Sequence, residues 1–466
     1  MITTSHRVII ASCVLVILLF FALQHSLQVE TPQPLLPEEQ QEFYDTLAAD
    51  NKSEPLSVGF EPEFVETESP DDWRFHPARD VRNYGLNEAQ CDIAFPGLWH
   101  EIDQAASHMR RNGPITAGEL NLEWRDRAVV RAMIYDHQLY IIEAKGCTYR
   151  RDFRERSLAT LQSINRAITA YTGPIPNIEF TFCVEDIVYE RMETNRKPPI
   201  WGFTRKPDWE NVWIMPDFGY WSWPTSPIGE YSDVRFQMGL RERGVPFQEK
   251  KEKVLWRGAP MTEQRKKLVE QWEHKSWSDI VPFDWADPER EKKFVDMPDH
   301  CNWKFLLHTE GRSYSGRLKY LQNCHSVVIV PDLKWIEPHH ALLIPSGPRQ
   351  NYLPVKYDFS DLEEKVQTLL ASPEFAEQVA DNSVEMFRDR YLTPAAQACY
   401  WRKLFKAWRE ISFEPEFSDG YGHPRGMPFE TYVLLDIYDS NPWKDPADRL
   451  QKEEEEEKKK KKEKGD

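Results

Sequence analysis

The residue types best suited to chemistry lie in one Gly- and Ser-rich loop, residues 310–316, and in the arginine that follows it. Ser313, Ser315, Gly316 and Arg317 would lie at the N-terminus of a helix, where free N–H groups, the helix dipole and a guanidinium attract anions. The loop therefore predicts a diphosphate site. An alternative stays open on spacing alone, a structural turn whose arginine pairs with a carboxylate.

The segments on either side of this loop predict a βαβ unit. Residues 304–308 and 327–330 are short apolar runs of the kind that form buried strands. Between them Tyr314, Leu318 and Leu321 fall at helical spacing. The helix is therefore expected to begin near Ser315.

An acidic pair, Glu185 and Asp186, follows a second apolar run, residues 178–184, which predicts a strand. Open α/β sheets carry their chemistry beyond strand ends, so this pair is a candidate catalytic group. A structural alternative is that Asp186 caps a helix or pairs with an arginine such as Arg191. A glycoside hydrolase using both carboxylates is disfavoured, because adjacent strand residues point to opposite faces.

Composition limits the function classes. The chain has 466 residues, enough for two domains with appendages, and a formal net charge of −17, which argues against a nucleic-acid partner. Aromatic residues make up 13% and are dense at residues 200–230, where most should be core and a few are suited to sugar stacking.

Other segments predict a mixed α/β chain. Helices are expected at residues 98–109, 153–171, 231–250 and, with a break at 392–394, 375–411. A hairpin is expected around Asp136 and His137, a strand at 254–256, and a strand and helix at 352–370.

The N-terminal region predicts a membrane anchor. Residues 8–23 are apolar or small and follow Arg7, without a clear cleavage site. We expect a signal anchor with a cytoplasmic tail at 1–7 and a lumenal body, that is, a single-pass type II protein. A cleaved signal peptide is the alternative.

Two further segments look like appendages. Residues 24–85 are polar and Pro-rich and read as a stem, in which Asn51 begins an N-glycosylation sequon. The extension at 413–466 ends in Glu and Lys runs of low complexity, to which no role is assigned.

A set of motifs carries a family resemblance. They are W-R-G at 256–258, E-x-R at 263–265, G-R-S-Y-S-G-R-L-K-Y at 311–320, N-C-H-S-V-V at 323–328 and Y-L-P-V-K-Y-D-F-S-D-L at 352–362. With these motifs in this order, the chain resembles the capsule-associated protein and protein O-glucosyltransferase family of lumenal glycosyltransferases, as a fungal-type member. The resemblance covers roughly residues 120–410.

The resemblance implies a GT-B-like α/β fold, with two Rossmann-like domains facing across a cleft. We set these domains at 86–250, for the acceptor and base, and 251–412, for the nucleotide sugar. It also implies a UDP-glucose or UDP-xylose donor, inversion at the anomeric carbon, and no metal cofactor. The sequence contains no D-x-D motif, so arginines would neutralise the diphosphate.

Residue roles follow from the same resemblance. Arg265 and Arg317 match diphosphate-contacting arginines, and Ser315 and Gly316 match the loop beside them. Asp186 matches the general base. Trp335 and Glu337 match a W-x-E segment near the donor, although a structural role for both is an alternative.

The cysteines outside the membrane segment lie in a compartment that permits disulfides. The resemblance implies a bridge between Cys301 and Cys324 and a second one from Cys399, for which Cys91 is the candidate partner. The states of Cys147 and Cys183 stay open.

The predicted function is glycosyl transfer to a hydroxyl of a protein, a glycolipid, or a cell-wall or capsule glycan. A membrane anchor in place of a C-terminal retention tetrapeptide suggests the Golgi. The alternative function is a non-catalytic lumenal carbohydrate-binding protein on the same fold.

Overall fold

The structure, a computed structural model, describes residues 73–147, 151–188, 198–223 and 228–434. The predicted anchor, the Asn51 sequon, most of the stem and the charged C-terminal run lie outside these ranges. Within them, every helix is too short or too polar to cross a membrane.

The first half of the described chain mixes helices with short strands. The helices are α1 (Pro77–Asp80), α2 (Glu88–Ala94), α3 (His100–Asn112), α4 (Arg151–Thr169) and α5 (Tyr231–Glu242). The strands are β1 (Val129–Tyr135), β2 (Gln138–Lys145), β3 (Ile178–Cys183), β4 (Ile200–Gly202), β5 (Val212–Ile214), β6 (Ser222–Trp223) and β7 (Gly229–Glu230).

The second half alternates strands and helices before a helical end. The strands are β8 (Lys251–Gly258), β9 (Ser278–Pro282), β10 (Trp303–Leu307), β11 (Val327–Pro331), β12 (Leu353–Val355) and β13 (Met427–Pro428). The helices are α6 (Glu263–Trp272), α7 (Leu318–Leu321), α8 (Leu362–Ala371), α9 (Pro373–Ser383), α10 (Pro394–Ile411) and α11 (Phe429–Leu434), with a π-helical segment at Val384–Tyr391.

The first sheet has six strands in the order β13-β2-β1-β3-β4-β5. The β1–β2 hairpin is confirmed, and its turn residues Asp136 and His137 both have positive φ angles, 47° and 60°, as a two-residue hairpin turn requires. β3, β4 and β5 run parallel to one another, so their carboxyl ends share one edge of the sheet.

The second sheet has five parallel strands in the order β12-β11-β10-β8-β9. This is the order of a doubly wound sheet, in which the chain leaves two neighbouring strands, here β8 and β10, toward opposite sides. The fold class is thus α/β, with one mixed sheet and one parallel sheet.

Aromatic residues build the core beneath the first sheet. Trp201 stacks on Phe180 with ring centroids 4.0 Å apart, and α10 presents Phe405 and Trp408 to the same indole at 6.2 and 5.4 Å. α10 begins at Pro394, after the predicted break, so the chain returns to the first sheet after completing the second. The expectation that most aromatics of residues 200–230 are core is confirmed by the burial of those described.

Both disulfides implied by the resemblance are present. Cys91 is joined to Cys399, and Cys301 to Cys324. Cys147 and Cys183 are buried and belong to neither bridge.

The two bridges are expected to contribute unequally to stability. Their partners are 23 and 308 residues apart, and a longer closed loop restricts the unfolded chain more. Replacing Cys301 and Cys324 by Ala should lower the free energy of unfolding by roughly 3 kcal/mol, and replacing Cys91 and Cys399 by roughly 5 kcal/mol or more. Urea denaturation of the two double variants checks this, and the reverse order would contradict it.

The helix predicted near Ser315 is shorter than expected and begins later. α7 spans only Leu318–Leu321, with Arg317 as its N-cap. β11 begins at Val327, and the Cys301–Cys324 disulfide holds the chain just before it, so there is space for little more than one turn. The prediction that a helix dipole contributes to the site is therefore wrong, because a single turn has little dipole.

Candidate active site

The candidate site lies where the second sheet reverses its strand order. Ligands of such sheets bind beyond the carboxyl ends of the two diverging strands, β8 and β10. Arg265 comes from α6, which follows β8, and residues 308–317 follow β10. The Arg265 Nε donates to the carbonyl of Glu310 at 2.9 Å, so the two predicted parts of the site are in contact.

The loop after β10 leaves several N–H groups without a backbone acceptor among the described residues. The Gly311 N–H donates to the carbonyls of Ser313, at 3.0 Å, and Tyr314, at 3.4 Å, which tightens the loop. Across residues 313–317, no N–H group donates to a described backbone carbonyl. Successive N–H groups of this kind form a concavity that suits an anion.

Two arginines beside this loop have no acidic partner in the part of the chain that the structure describes. Arg265 donates to the carbonyls of Glu310 and Ala259, and Arg317 donates to the carbonyl of Arg257. No described carboxylate forms an ion pair with either guanidinium, so the turn with a carboxylate-paired Arg317 is not the arrangement found. Burial lowers the pKa of Arg317 to about 10, and burial together with the charge of Arg317 lowers the pKa of Arg265 to about 10.

A third arginine near the loop, Arg257, differs from these two because it has a carboxylate partner. Arg257 forms an ion pair with Asp279 at 2.7 Å, and it also donates to the Asp279 carbonyl. Its charge is therefore compensated within the protein. Arg265 and Arg317, by contrast, have no carboxylate partner among the described residues, so this pair could hold a doubly charged anion.

His308 is a site residue that the motifs did not indicate. It is buried directly after β10, and its Nδ1 has no hydrogen-bond partner in the described chain. Burial, aided by nearby His340 and Arg265, holds its pKa well below the usual value, so the ring is neutral. The sequence signal that could have indicated His308 is its position as a polar residue at the end of an apolar strand.

The predicted Trp335 and Glu337 lie in a packed segment rather than an open pocket. The Glu310 carboxylate accepts hydrogen bonds from the Trp335 N–H at 2.8 Å, and the Trp335 ring packs edge-on against Trp209. Glu337 is buried and lies 3.1 Å from the His340 Nε2. Both residues therefore have structural partners beside the loop.

Asp186 lies just beyond the carboxyl end of β3, as predicted. Its Oδ1 accepts a hydrogen bond from Arg156 at 2.9 Å, and Arg156 also donates to the Val184 carbonyl and covers the Phe218 ring. Asp186 thus has an arginine partner, as the structural alternative expected, but the partner is Arg156. Arg191 lies outside the described residues. The Asp186 side chain is 47% exposed, and no described donor engages its Oδ2.

Glu185 is oriented by different partners. It forms ion pairs with Arg125 and with Arg127, the latter at 3.2 Å. Because Glu185 and Asp186 are held by separate arginines, they do not form the paired carboxylates of a hydrolase.

Tyr314 links the loop to the first sheet. Burial raises its pKa well above the usual value, and Asp217 and Asp186 lie close enough for their charges to add to the shift. Its ring also lies 6.5 Å from that of Phe203. The loop at 310–316 therefore lies near the carboxyl edge of the first sheet, beyond which Asp186 is found.

A partly aromatic pocket opens beside the arginines, at the carboxyl ends of β8 and β9. It is lined by Ala259, Pro260, Met261, Pro282, Phe283, Asp284, Trp285 and Lys293. The Ala259 carbonyl accepts from Arg265, which places the pocket next to the cationic pair. A planar ring could be held there while an attached diphosphate reached Arg265.

Among the described residues, one group of three potential metal ligands occurs, and it does not include any of the candidate site residues. It consists of Glu242, Cys301 and Cys324, whose two sulfurs form a disulfide.

Comparison with known proteins decides the family. The model of glycosyl transferase family 90 matches residues 87–423. The chain belongs to this family. It is therefore a glycosyltransferase, and the alternative of a non-catalytic carbohydrate-binding protein is not favoured.

Individual relatives carry related names. Human protein O-glucosyltransferase 1 is 23% identical over 299 residues, which cover 59% of this chain and 74% of the relative. An O-glucosyltransferase rumi homolog of Aedes aegypti is 24% identical over 300 residues, with coverage of 60% and 70%. O-glucosyltransferase rumi of Drosophila pseudoobscura pseudoobscura is 23% identical over 325 residues, with coverage of 65% and 75%.

Proposed function

We propose that this glycosyltransferase moves glucose or xylose from a UDP-sugar to a hydroxyl acceptor, with inversion at the anomeric carbon. The observation that carries the proposal is the pair Arg265 and Arg317, two guanidiniums without a described carboxylate partner, beside a loop with unused N–H groups. Charged hydrogen bonds to phosphate oxygens would complete both. In this proposal the negative charge that balances the two guanidiniums comes from the diphosphate.

The pocket at the ends of β8 and β9 is proposed to hold the uracil ring. Phe283 and Trp285 offer aromatic surfaces there, and Trp285 is 59% exposed. The Ala259 carbonyl contacts Arg265, so a base in this pocket leaves the diphosphate within reach of the arginines. The sugar then extends toward the first sheet.

Asp186 is proposed as the general base. Its carboxylate removes the proton of the acceptor hydroxyl, and the oxygen attacks the anomeric carbon from the face opposite UDP. The bond from that carbon to the diphosphate oxygen breaks, and UDP leaves with the electron pair. Arg156 holds Oδ1 and thereby orients Oδ2 for the proton.

The arginines act on the leaving group. Negative charge grows on the diphosphate as the bond breaks, and fixed donors at Arg265, Arg317 and the loop N–H groups stabilise that charge. We propose that the two sheets belong to two Rossmann-like domains, 86–250 and 251–412, of a GT-B arrangement whose cleft holds donor and acceptor. No metal is required in this scheme, because the arginines neutralise the diphosphate.

The acceptor is proposed to be a protein hydroxyl, on the basis of relatives named protein O-glucosyltransferases. A glycolipid and a cell-wall or capsule glycan are the other acceptor classes that a test should include. The experiment is a donor screen of the purified lumenal part with UDP-glucose, UDP-xylose, UDP-galactose and GDP-mannose. We expect donor hydrolysis with UDP-glucose or UDP-xylose alone, and a preference for GDP-mannose would contradict the proposal.

We also propose that the chain is a type II membrane protein of the Golgi or another secretory compartment, anchored by residues 8–23. The apolar character of that segment and its flanking Arg7 motivate this. The protein should stay with membranes after carbonate extraction. A mature N-terminus near residues 25–30, found by terminal sequencing, would show a cleaved signal peptide instead.

A further inference from the structure

A fully buried ion pair joins the edge of the first sheet to the loop of the second. The Lys319 Nζ lies 2.8 Å from the Asp217 Oδ2, and the two side chains are 0% and 3% exposed. Asp217 follows β5 at the same sheet edge as Asp186 follows β3. Lys319 belongs to α7, directly after the loop that carries Arg317.

The pair is enclosed on all sides. The Lys319 ammonium faces the rings of Tyr220, at 4.9 Å, and Tyr320, at 5.1 Å. A Cβ atom at Gly219 would lie 2.9 Å from the Lys319 Nζ and 3.0 Å from the Asp217 Oδ1. Glycine is therefore required for this close approach.

Stability does not explain the pair well. Buried ion pairs gain little net stability, because the cost of removing both charges from water is large. This pair is also incompletely satisfied, since the Asp217 Oδ1 is buried without a hydrogen-bond partner in the described chain. A role in fixing geometry accounts for its presence better.

A second contact of Lys319 shows which part of the backbone the ion pair fixes. Its Nζ also donates to the Gly316 carbonyl at 2.7 Å. The carbonyl of one peptide unit and the N–H of the same unit point in opposite directions. Because the Gly316 carbonyl is drawn inward, the Arg317 N–H of that unit points outward, away from the ion pair.

We propose that Asp217 and Lys319 are positioning residues, which fix the Gly316–Arg317 peptide so that its N–H faces the anion site. Asp217 holds the ammonium, and the ammonium holds the carbonyl. The ligand in this inference, the diphosphate of the donor, rests on the function proposed above. The pair also ties the loop to the sheet edge that carries Asp186.

The test separates positioning from plain structural support. Asp217→Asn alone leaves a buried, unpaired ammonium, and its melting temperature should fall. The double variant Asp217→Asn with Lys319→Met removes both charges and should recover most of that loss. It still lacks the donor to the Gly316 carbonyl, so UDP affinity by calorimetry should stay at least tenfold below that of the native protein.

A second readout does not depend on UDP. Trypsin cleavage after Arg317 under native conditions should be at least tenfold faster in the double variant, because the peptide is no longer held. The matched control neutralises another buried pair, Glu101→Gln with Arg205→Met, and should leave that rate unchanged. If the folded double variant is cleaved at the native rate, the positioning role is wrong.

The two proposals can fail separately. If the native protein does not bind UDP while the double variant is cleaved faster, the donor assignment fails and the positioning role stands. Gly219→Ala provides an independent variant, since its added methyl group would press on both charged side chains. It should reproduce the faster cleavage with both charges intact, and native cleavage of a folded Gly219→Ala protein would count against the role.

Discussion

The substitution Asp186→Asn is expected to reduce glycosyl transfer at least about 10²-fold, the lower end of what general-base catalysis contributes. The amide keeps the shape of the side chain and can still accept from Arg156, which holds Oδ1 at 2.9 Å. It removes only the basicity that takes the acceptor proton. UDP affinity and melting temperature should therefore change little, and single-turnover transfer assays with calorimetry on the same protein check all three quantities.

Glu185→Gln is the matched control for this prediction. It neutralises the neighbouring carboxylate, which is engaged by Arg125 and Arg127 instead of facing the acceptor. It should lower stability without a comparable loss of transfer per folded molecule. Near-normal transfer by a well-folded Asp186→Asn protein would eliminate Asp186 as the base, and a loss of activity in proportion to lost stability would assign it a structural role with Arg156.

Patterns set by neighbouring residues predicted the elements well. The Asp136–His137 hairpin, the strand before Asp186 and the two strands around the loop were each recognised from short-range alternation or apolar runs, and each is present. Side-chain period and turn conformation are determined within a few residues, so a sequence contains them. The same holds for the break before Pro394, since proline cannot continue a preceding helix.

The helix after the loop was predicted wrongly because its length is set from outside the segment. Tyr314, Leu318 and Leu321 have helical spacing, yet the disulfide at Cys324 and the start of β11 leave a single turn. Burial of Tyr314 against Phe203 explains its apolar character without a helix. The apolar spacing of these residues therefore reflects burial in the tertiary structure and not a longer helix.

The pairs that fix the site were not predictable from the sequence. Asp186 meets Arg156 across 30 residues, and Asp217 meets Lys319 across 102. Only the fold brings such charges together. Lys319 did offer one indication, a charge inside the apolar run of α7, which must be buried with its neighbours and therefore needs an acidic partner from elsewhere.

Arg317→Ala is expected to weaken UDP binding by well over tenfold, since hydrogen bonds to charged groups contribute roughly 1.5–3 kcal/mol each. The same change should leave the melting temperature of the unliganded protein nearly unchanged. We expect relief of the repulsion between Arg317 and Arg265 to offset the lost hydrogen bond to the Arg257 carbonyl. Affinity and stability should therefore respond differently to one substitution.

Arg312→Ala supplies the comparison, because Arg312 carries the same charge in the same loop but is exposed. If both variants weakened UDP equally, the loss would reflect the general field of the loop and not two specific receptors. If UDP affinity survived Arg317→Ala by calorimetry, the diphosphate assignment would be wrong. An arginine whose loss weakens UDP binding but leaves the stability of the unliganded protein unchanged acts mainly on the ligand. This combination of results distinguishes a phosphate-binding arginine from a structural one.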